Sequence, residues 1–142
     1  MRVDEKIKQI VETIDGLSYE FNDWTRANVT LDMKALPTCL YLLPVSGTLL
    51  NKNGNFRDYP NALIAFLDKA EFDFDGEDNE PTVERMKEYA KSFIVAVNNS
   101  GKFTPIPENT PYSVVYDKLD VNVTGVVIQV QLKELQGKCT AP

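Results

Sequence analysis

Residues 62–97, ALIAFLDKAEFDFDGEDNEPTVERMKEYAKSFIVAV, change from the pattern of a strand to the pattern of a helix. The first part is almost continuously apolar and then alternates acids with phenylalanines. This pattern predicts a long strand whose first half is covered by the rest of the fold and whose second half lies at an edge. The second part predicts a helix with Pro81 in its first turn and its end in the NNSG run at 98–101. Apolar residues recur there mostly every three or four positions: Val83, Met86, Ala90, Phe93, Ile94 and Val97.

The chain opens with a second amphipathic pattern. Its apolar residues share one helical face, which predicts a helix from about Asp4 to Asp15 with Gly16 as its natural end. The residues of this stripe are Val3, Ile7, Ile10, Val11, Ile14 and Leu17.

Two short stretches between the predicted helices indicate further elements. TCLYLLPV at 38–45 is typical of a strand buried on both faces and closed by a turn at Ser46–Gly47, and NKNGN at 51–55 is typical of a loop or hairpin tip. Cys39 lies in the first stretch and Cys139 in the polar tail, without CxxC spacing. We therefore expect two free thiols and no zinc site, with a disulfide as the alternative.

The C-terminal segment YSVVYDKLDVNVTGVVIQVQLKEL, at 112–135, predicts two strands with a change of phase between them. Val123 is apolar at an odd position, whereas Val126 and Ile128 are apolar at even positions. Because side chains alternate between the two faces of a strand, a straight strand would expose one of these sets. A bulge at Thr124–Gly125 would bring both sets to one face.

This order of elements predicts the fold class. We expect a single α+β domain over residues 1–142, with a mostly antiparallel sheet of about four to five strands and two helices packed on one of its faces.

Composition argues against several classes of function. The chain has no histidine, which is the commonest general base and metal ligand, and it shows no phosphate-binding loop or nucleophile motif. We therefore predict that the protein is not an enzyme and has no catalytic, cofactor-binding or metal-binding residues. No apolar run is long enough to cross a membrane, and the first residues lack the apolar core of a secretory signal, so we expect an intracellular product.

The net charge of −6 comes from one segment. Residues 68–88 hold nine acids and three bases, and the rest of the chain is balanced. A basic face for nucleic acid is therefore not expected, because phosphate contacts need clustered lysine and arginine.

The acidic stretch at 71–78 has two interpretations. Glu71, Asp73, Asp75 and Gly76 match the first positions of a calcium loop, but Thr82 stands where the bidentate glutamate should be. We interpret the stretch as a solvated strand edge followed by helix N-terminal charge, with weak calcium or magnesium binding as the alternative. The acidic edge consists of Glu71, Phe72, Asp73, Phe74, Asp75, Glu77 and Asp78.

Aromatic residues give two weaker signals. Tyr112 and Tyr116 with Asp117 and Lys118 are interpreted as ordinary members of a half-buried strand. Trp24 is either a lid on the core or an interface anchor, and we favour the core.

The chain resembles the tail-terminator, or tail-completion, proteins of tailed bacteriophages. The resemblance covers most of the chain and is one of architecture, without a diagnostic motif. The segments that carry it are DEKIKQIVETI at 4–14, CLYLLPVSG at 39–47, NALIAFLDKAEFDFDGE at 61–77, TVERMKEYAKSFIVAVN at 82–98, and YDKLDVNVTGVVIQVQL at 116–132 with the polar tail that follows.

The resemblance implies a structural role. Such proteins form rings, typically hexamers, that stop tail-tube growth and join the tail to the head connector, and they need no cofactor. It implies a homo-oligomer in the tail or neck of a virion, made in the host cytoplasm, with tail-tube and head-connector proteins as partners. It also implies that the acidic edge at 71–78 is a possible protein-contact surface, for a neighbouring subunit or for a ring above or below. The alternative from the residues is an acidic inhibitor of a host protein that mimics DNA, although the balanced charge outside 68–88 argues against it.

Overall fold

The computed structural model describes residues 2–24, 26–27, 36–43, 46–69, 76–118 and 123–133, with the backbone alone at 57, 76–78, 117 and 118. Two long helices and six strands lie in these ranges. In chain order they are α1 (Val3–Glu12), β1 (Ser18–Asn22), β2 (Thr38–Leu42), β3 (Ser46–Lys52), β4 (Asn55–Lys69), α2 (Gly76–Asn99), β5 (Tyr112–Lys118) and β6 (Val123–Gln131).

The described strands form one mixed sheet in the order β1-β2-β4-β6-β5, with β3 paired to the first half of β4. The predicted α+β class is confirmed. The predicted strand number is too low, because the described sheet has six strands. One pair, β1 with β2, is parallel, and all the others are antiparallel. Residues 23–37 join the two parallel strands, which agrees with the longer connection that parallel neighbours need.

Both helices cover the same face of the sheet, as predicted. Helix α1 packs near β1, and α2 packs on β6 and β4. The core between helices and sheet is a single cluster in which the Phe66 and Phe93 rings meet edge to face at 5.6 Å. Side chains that this core buries completely include Ile7, Val11, Cys39, Ile64, Phe66, Met86, Phe93, Val97 and Leu132.

The opposite face of the sheet holds a second, smaller apolar cluster. Every residue of β2 is buried, which confirms a strand covered on both faces. The cluster consists of Ala27, Leu40, Leu42, Ala65, Leu67, Val123 and Val127, with Trp24, Leu36 and Val115 packed against it.

The helix boundaries differ from the predicted ones at two points. Helix α1 ends at Glu12, and Gly16 lies in the turn before β1. Helix α2 begins at Gly76, so Pro81 lies inside the helix and not in its first turn. Proline has no N–H to donate to the carbonyl four residues earlier, which is why the sequence places the start of the helix too late.

The predicted bulge at Thr124–Gly125 is absent from the pairing of β6 with β4. These strands keep one register from Lys69↔Val123 to Asn61↔Gln131. Val123 and Val126 can both be buried without a bulge, because this part of the sheet has an apolar cluster on each face. The irregularity lies instead in β5, between Val115 and Lys118.

A glycine is required at position 125, where β6 pairs with β4. A Cβ atom on this residue would lie 1.8 Å from the carbonyl oxygen of Phe66, far inside van der Waals contact. Since that oxygen belongs to the backbone of the central strand, the conflict is relieved only by moving one of the two strands.

We expect Gly125→Ala to lower the free energy of unfolding by about 3 kcal/mol or more, because the added methyl overpacks the centre of the sheet. Urea unfolding at neutral pH measures the loss. Gly101→Ala is the control, since Gly101 has a positive φ of 73° but nothing within 4 Å of the added carbon; its cost is expected to be about 1–2 kcal/mol, from backbone strain alone. Equal losses in the two variants would contradict the packing conflict at Gly125.

Candidate interaction surface

Strand β4 extends well beyond the strands that flank its second half. β6 pairs with Asn61–Lys69, and the Leu132 amide just after it donates a hydrogen bond to the Pro60 carbonyl at 2.8 Å, whereas residues 55–59 pair in the sheet only with β3. The hairpin of residues 46–60 therefore projects from the end of the sheet as two strands. We call it the β arm. A two-stranded hairpin is marginally stable by itself in water, so such an arm gains from a partner.

The tip of the β arm is a tight turn at Asn53–Gly54. Both residues have positive φ, 54° and 83°, which is the conformation of the two-residue turn that best matches the twist of a hairpin. The Asn51 side-chain oxygen accepts a hydrogen bond from the Gly54 amide at 3.1 Å. The predicted hairpin tip at 51–55 is confirmed, whereas Ser46–Gly47 is the start of β3 and not a turn.

The β arm exposes large apolar side chains on both faces. Every residue of β3 is exposed. Phe56 is 64% exposed and Leu49 is 69% exposed. Leu49 pairs with Asp58, which places Phe56 diagonally across from Leu49 on the helix side of the arm. Leu50 is exposed on the other side. Exposed apolar residues grouped in this way are typical of surfaces that contact other molecules.

A second apolar feature lies on the helix side, between α2 and the edge strand β5. It is a half-open groove of about 170 Å³. Its floor and walls are the apolar parts of Ala90, Ile94, Tyr112, Val126 and Ile128, and its rim carries Lys87, Lys91 and Thr110.

The groove rim carries two lysines, Lys87 and Lys91, and each pairs with the glutamate three residues earlier on α2. The Lys87 ammonium lies 4.9 Å from the centre of the Tyr112 ring. Hydrogen bonds with Tyr112 and then Glu84 raise the pKa of Lys87 above its ordinary value, so this lysine is charged at neutral pH. Lys91 bonds Glu88 at 3.0 Å and leaves other donors free, because an ammonium has three.

The structure describes only the last part of the predicted acidic contact edge. Glu71, Phe72, Asp73, Phe74 and Asp75 lie outside the described residues. Glu77 and Asp78 lie in the first turn of α2, so these two positions belong to a helix and not to a strand.

Several acids beside this edge have basic partners. Asp68 at the end of β4 accepts a hydrogen bond from the Arg85 guanidinium at 2.7 Å, and Glu84 pairs with Lys87. Asn79, one residue beyond the predicted contact edge, is buried and accepts a hydrogen bond from the Thr124 hydroxyl at 3.3 Å. The start of α2 is thus fixed to β6.

The nucleophilic and metal-ligating groups of the described residues are not arranged for chemistry. Cys39 is fully buried as a free thiol, and burial raises the pKa of this thiol far above its ordinary value. A buried protonated thiol is unreactive. Within the described ranges, no three acidic or cysteine side chains come together as ligands for a metal ion. Cys139 lies outside them.

Two further predictions can be placed. Trp24 is partly buried against the second cluster, which agrees with the favoured core role. Tyr112 and Tyr116 are exposed on β5 and are not half-buried as expected. None of the helices in the described part of the chain is long and apolar enough to span a bilayer.

No protein-family model matches the chain, and a search of curated proteins finds no match to its sequence. The surface features above therefore carry the functional interpretation.

The sequence predicted the tip of the β arm, but the two strands that form the arm were not predicted although a signal for them is present. Leu49, Leu50 and Phe56 flank NKNGN, which is the arrangement of a hairpin. The length of the arm follows only from where β6 ends, and this is a tertiary feature.

Tyr41 makes stability depend on pH in the alkaline range. It is 2% exposed, and burial, followed by the nearby charges of Asp4 and Asp58, raises its pKa to about 12 from the ordinary 10.0. The folded protein therefore holds this proton more tightly than the unfolded chain. This contribution to the free energy of unfolding is fully present below pH 10 and is lost as the pH rises towards 12.

We expect urea unfolding between pH 9 and about pH 11.5 to show this loss, and Tyr41→Phe to make the decline less steep. Some decline persists in that variant, because burial also raises the pKa of Cys39 and of Tyr19. Tyr116→Phe, at an exposed position, serves as the control and leaves the slope as in the unchanged protein. A Tyr41→Phe slope equal to that of the control would show that Tyr41 does not cause the effect.

Proposed function

We propose that this protein is a structural component of phage tail assembly, which forms a homo-oligomeric ring that ends the tail tube and joins it to the head connector. The observation that carries the proposal is the β arm, which projects from the sheet and exposes Leu49 and Phe56. The architectural resemblance to tail-terminator proteins supplies the particular assembly.

The β arm is better suited to an assembly than to a lone molecule. Burying a large apolar side chain contributes roughly 1.5–3 kcal/mol relative to leaving it exposed. In an isolated copy, Phe56 and Leu49 lack most of this stabilisation, because each side chain is more than half exposed. Contact with another protein recovers it and also orders a hairpin that has little support from the rest of the sheet.

The alternative, an acidic inhibitor that mimics DNA, receives less support. A mimic needs carboxylates that are free to stand in for phosphates across one face. Asp68, Glu84 and Glu88 have basic partners on the same chain, at 2.7, 3.4 and 3.0 Å. These pairs lower the negative potential where the sequence is most acidic.

The proposal is tested by adding the purified protein to the tail-tube protein of the same phage during tube growth. Negative-stain electron microscopy is expected to show rings at the tube ends, and a shorter mean tube length as the ratio of the two proteins rises. Light scattering of the protein alone is measured in parallel, because the proposal allows two cases: rings that form in solution, and rings that form only at the end of a tube. Tubes of unchanged length with bare ends would reject the proposal.

The role of the β arm is tested with Phe56→Ser, which removes an exposed apolar side chain. We expect self-association, free or at tube ends, to weaken by roughly 10- to 100-fold, the equivalent of the lost burial. Leu63→Ser is the matched control, since Leu63 is 46% exposed on β4, outside the arm and on the opposite face of the strand from Phe56. Urea unfolding establishes that both variants fold. Equal effects of the two substitutions would remove the arm from the interface.

A further inference from the structure

We propose that the β arm of one copy docks into the groove between α2 and β5 of the next copy, with the Phe56 ring in the groove and Asp58 against the lysines of its rim. The occupant is thus a second copy of this chain. The inference gives the interface of the ring proposed above and can be tested without the tube.

The groove has the size and the lining that an aromatic ring needs. Its volume is about 170 Å³, and its inner surface is made by Ala90, Ile94, Val126 and Ile128. An apolar cavity of roughly 150 Å³ in another protein binds benzene, so this groove has room for one phenyl ring. Phe56 supplies that ring, because it is 64% exposed near the end of a projecting hairpin.

The charges of the two surfaces are complementary. Asp58 lies on the same side of β4 as Phe56, two residues along the strand, which places it about 6.5–7 Å away. Lys87 and Lys91 stand at the rim of the groove, within side-chain reach of a carboxylate at that distance. Each lysine already has a glutamate partner on α2, and its remaining donors are available for Asp58.

The arrangement is of the kind that a ring needs. The arm and the groove are different surfaces of one chain, the first at the end of β4 and the second beside the edge strand β5. Contact between unlike surfaces is head to tail, and such contacts give a ring when the rotation between copies closes and an open filament when it does not. Each copy then gives one arm and receives another.

The experiment reverses one charge on each surface. Asp58→Lys and Lys91→Glu each place like charges together, so each variant alone is expected to associate at least about tenfold more weakly in sedimentation velocity. An equimolar mixture, or the double variant Asp58→Lys with Lys91→Glu, is expected to regain association, because every arm then meets a groove of opposite charge. Thr48→Lys with Lys91→Glu is the matched control and is not expected to regain it, since Thr48 pairs with Tyr59 and the new positive charge lies on the opposite side of the arm from Phe56.

The outcomes separate this inference from the proposed function. Rings that form unchanged in both single variants would overturn the docking and leave the ring proposal standing. Rescue in the mixture without any effect on tube length would support the docking and count against the terminator role. If Asp58→Lys weakens the capping of tubes but not self-association, the β arm contacts the tube protein instead of a second copy, and the docking is overturned. Absence of self-association, free and on tubes, would overturn both.

Discussion

The pairing of β4 with β6 is the constraint on which the other features of the fold depend. It runs in one register from Lys69↔Val123 to Asn61↔Gln131, at the centre of the described sheet. Its helix side carries Ile64, Phe66 and Val126 into the larger core, and its opposite side contributes to the smaller one. The two strands approach closely at Gly125, where even one carbon would meet the backbone of β4. Helix α2 rests on this pair and is linked to β6 by the bond from Thr124 to Asn79.

The end of that pairing defines the most exposed part of the sheet. Beyond Asn61, β4 loses β6 as a neighbour and continues with β3 alone, so one strand serves both the core and the surface. Ile64 and Phe66 are fully buried, whereas Phe56 is mostly exposed on the same side of the strand. An apolar side chain in that position has no local partner, and this is the physical reason for assigning the β arm to contact with another molecule.

Electrostatics in the folded chain differ from the impression given by the linear sequence. Residues 68–88 account for the whole net charge of −6, yet within them Asp68 pairs with Arg85, and Glu84 pairs with Lys87. Helical geometry brings residues three apart onto one face, so acids and bases that are separated in sequence become neighbours. The same geometry places Lys87 and Lys91 at the rim of the apolar groove, where each pairs with a glutamate and keeps ammonium donors that a second carboxylate can use.

The sequence by itself determined the α+β class, the stripe of α1, the buried strand β2 and the hairpin tip, because periodicity and turn chemistry are local properties of the chain. It also predicted that both helices cover one face. Tertiary structure alone decided the number of strands, the parallel β1–β2 pair and the absence of a bulge in β6. Val123 and Val126 show why: alternation indicates which side chains share a face, but only the packed fold determines whether that face is covered. The β arm and the groove depend on where neighbouring elements end, and no local pattern encodes this.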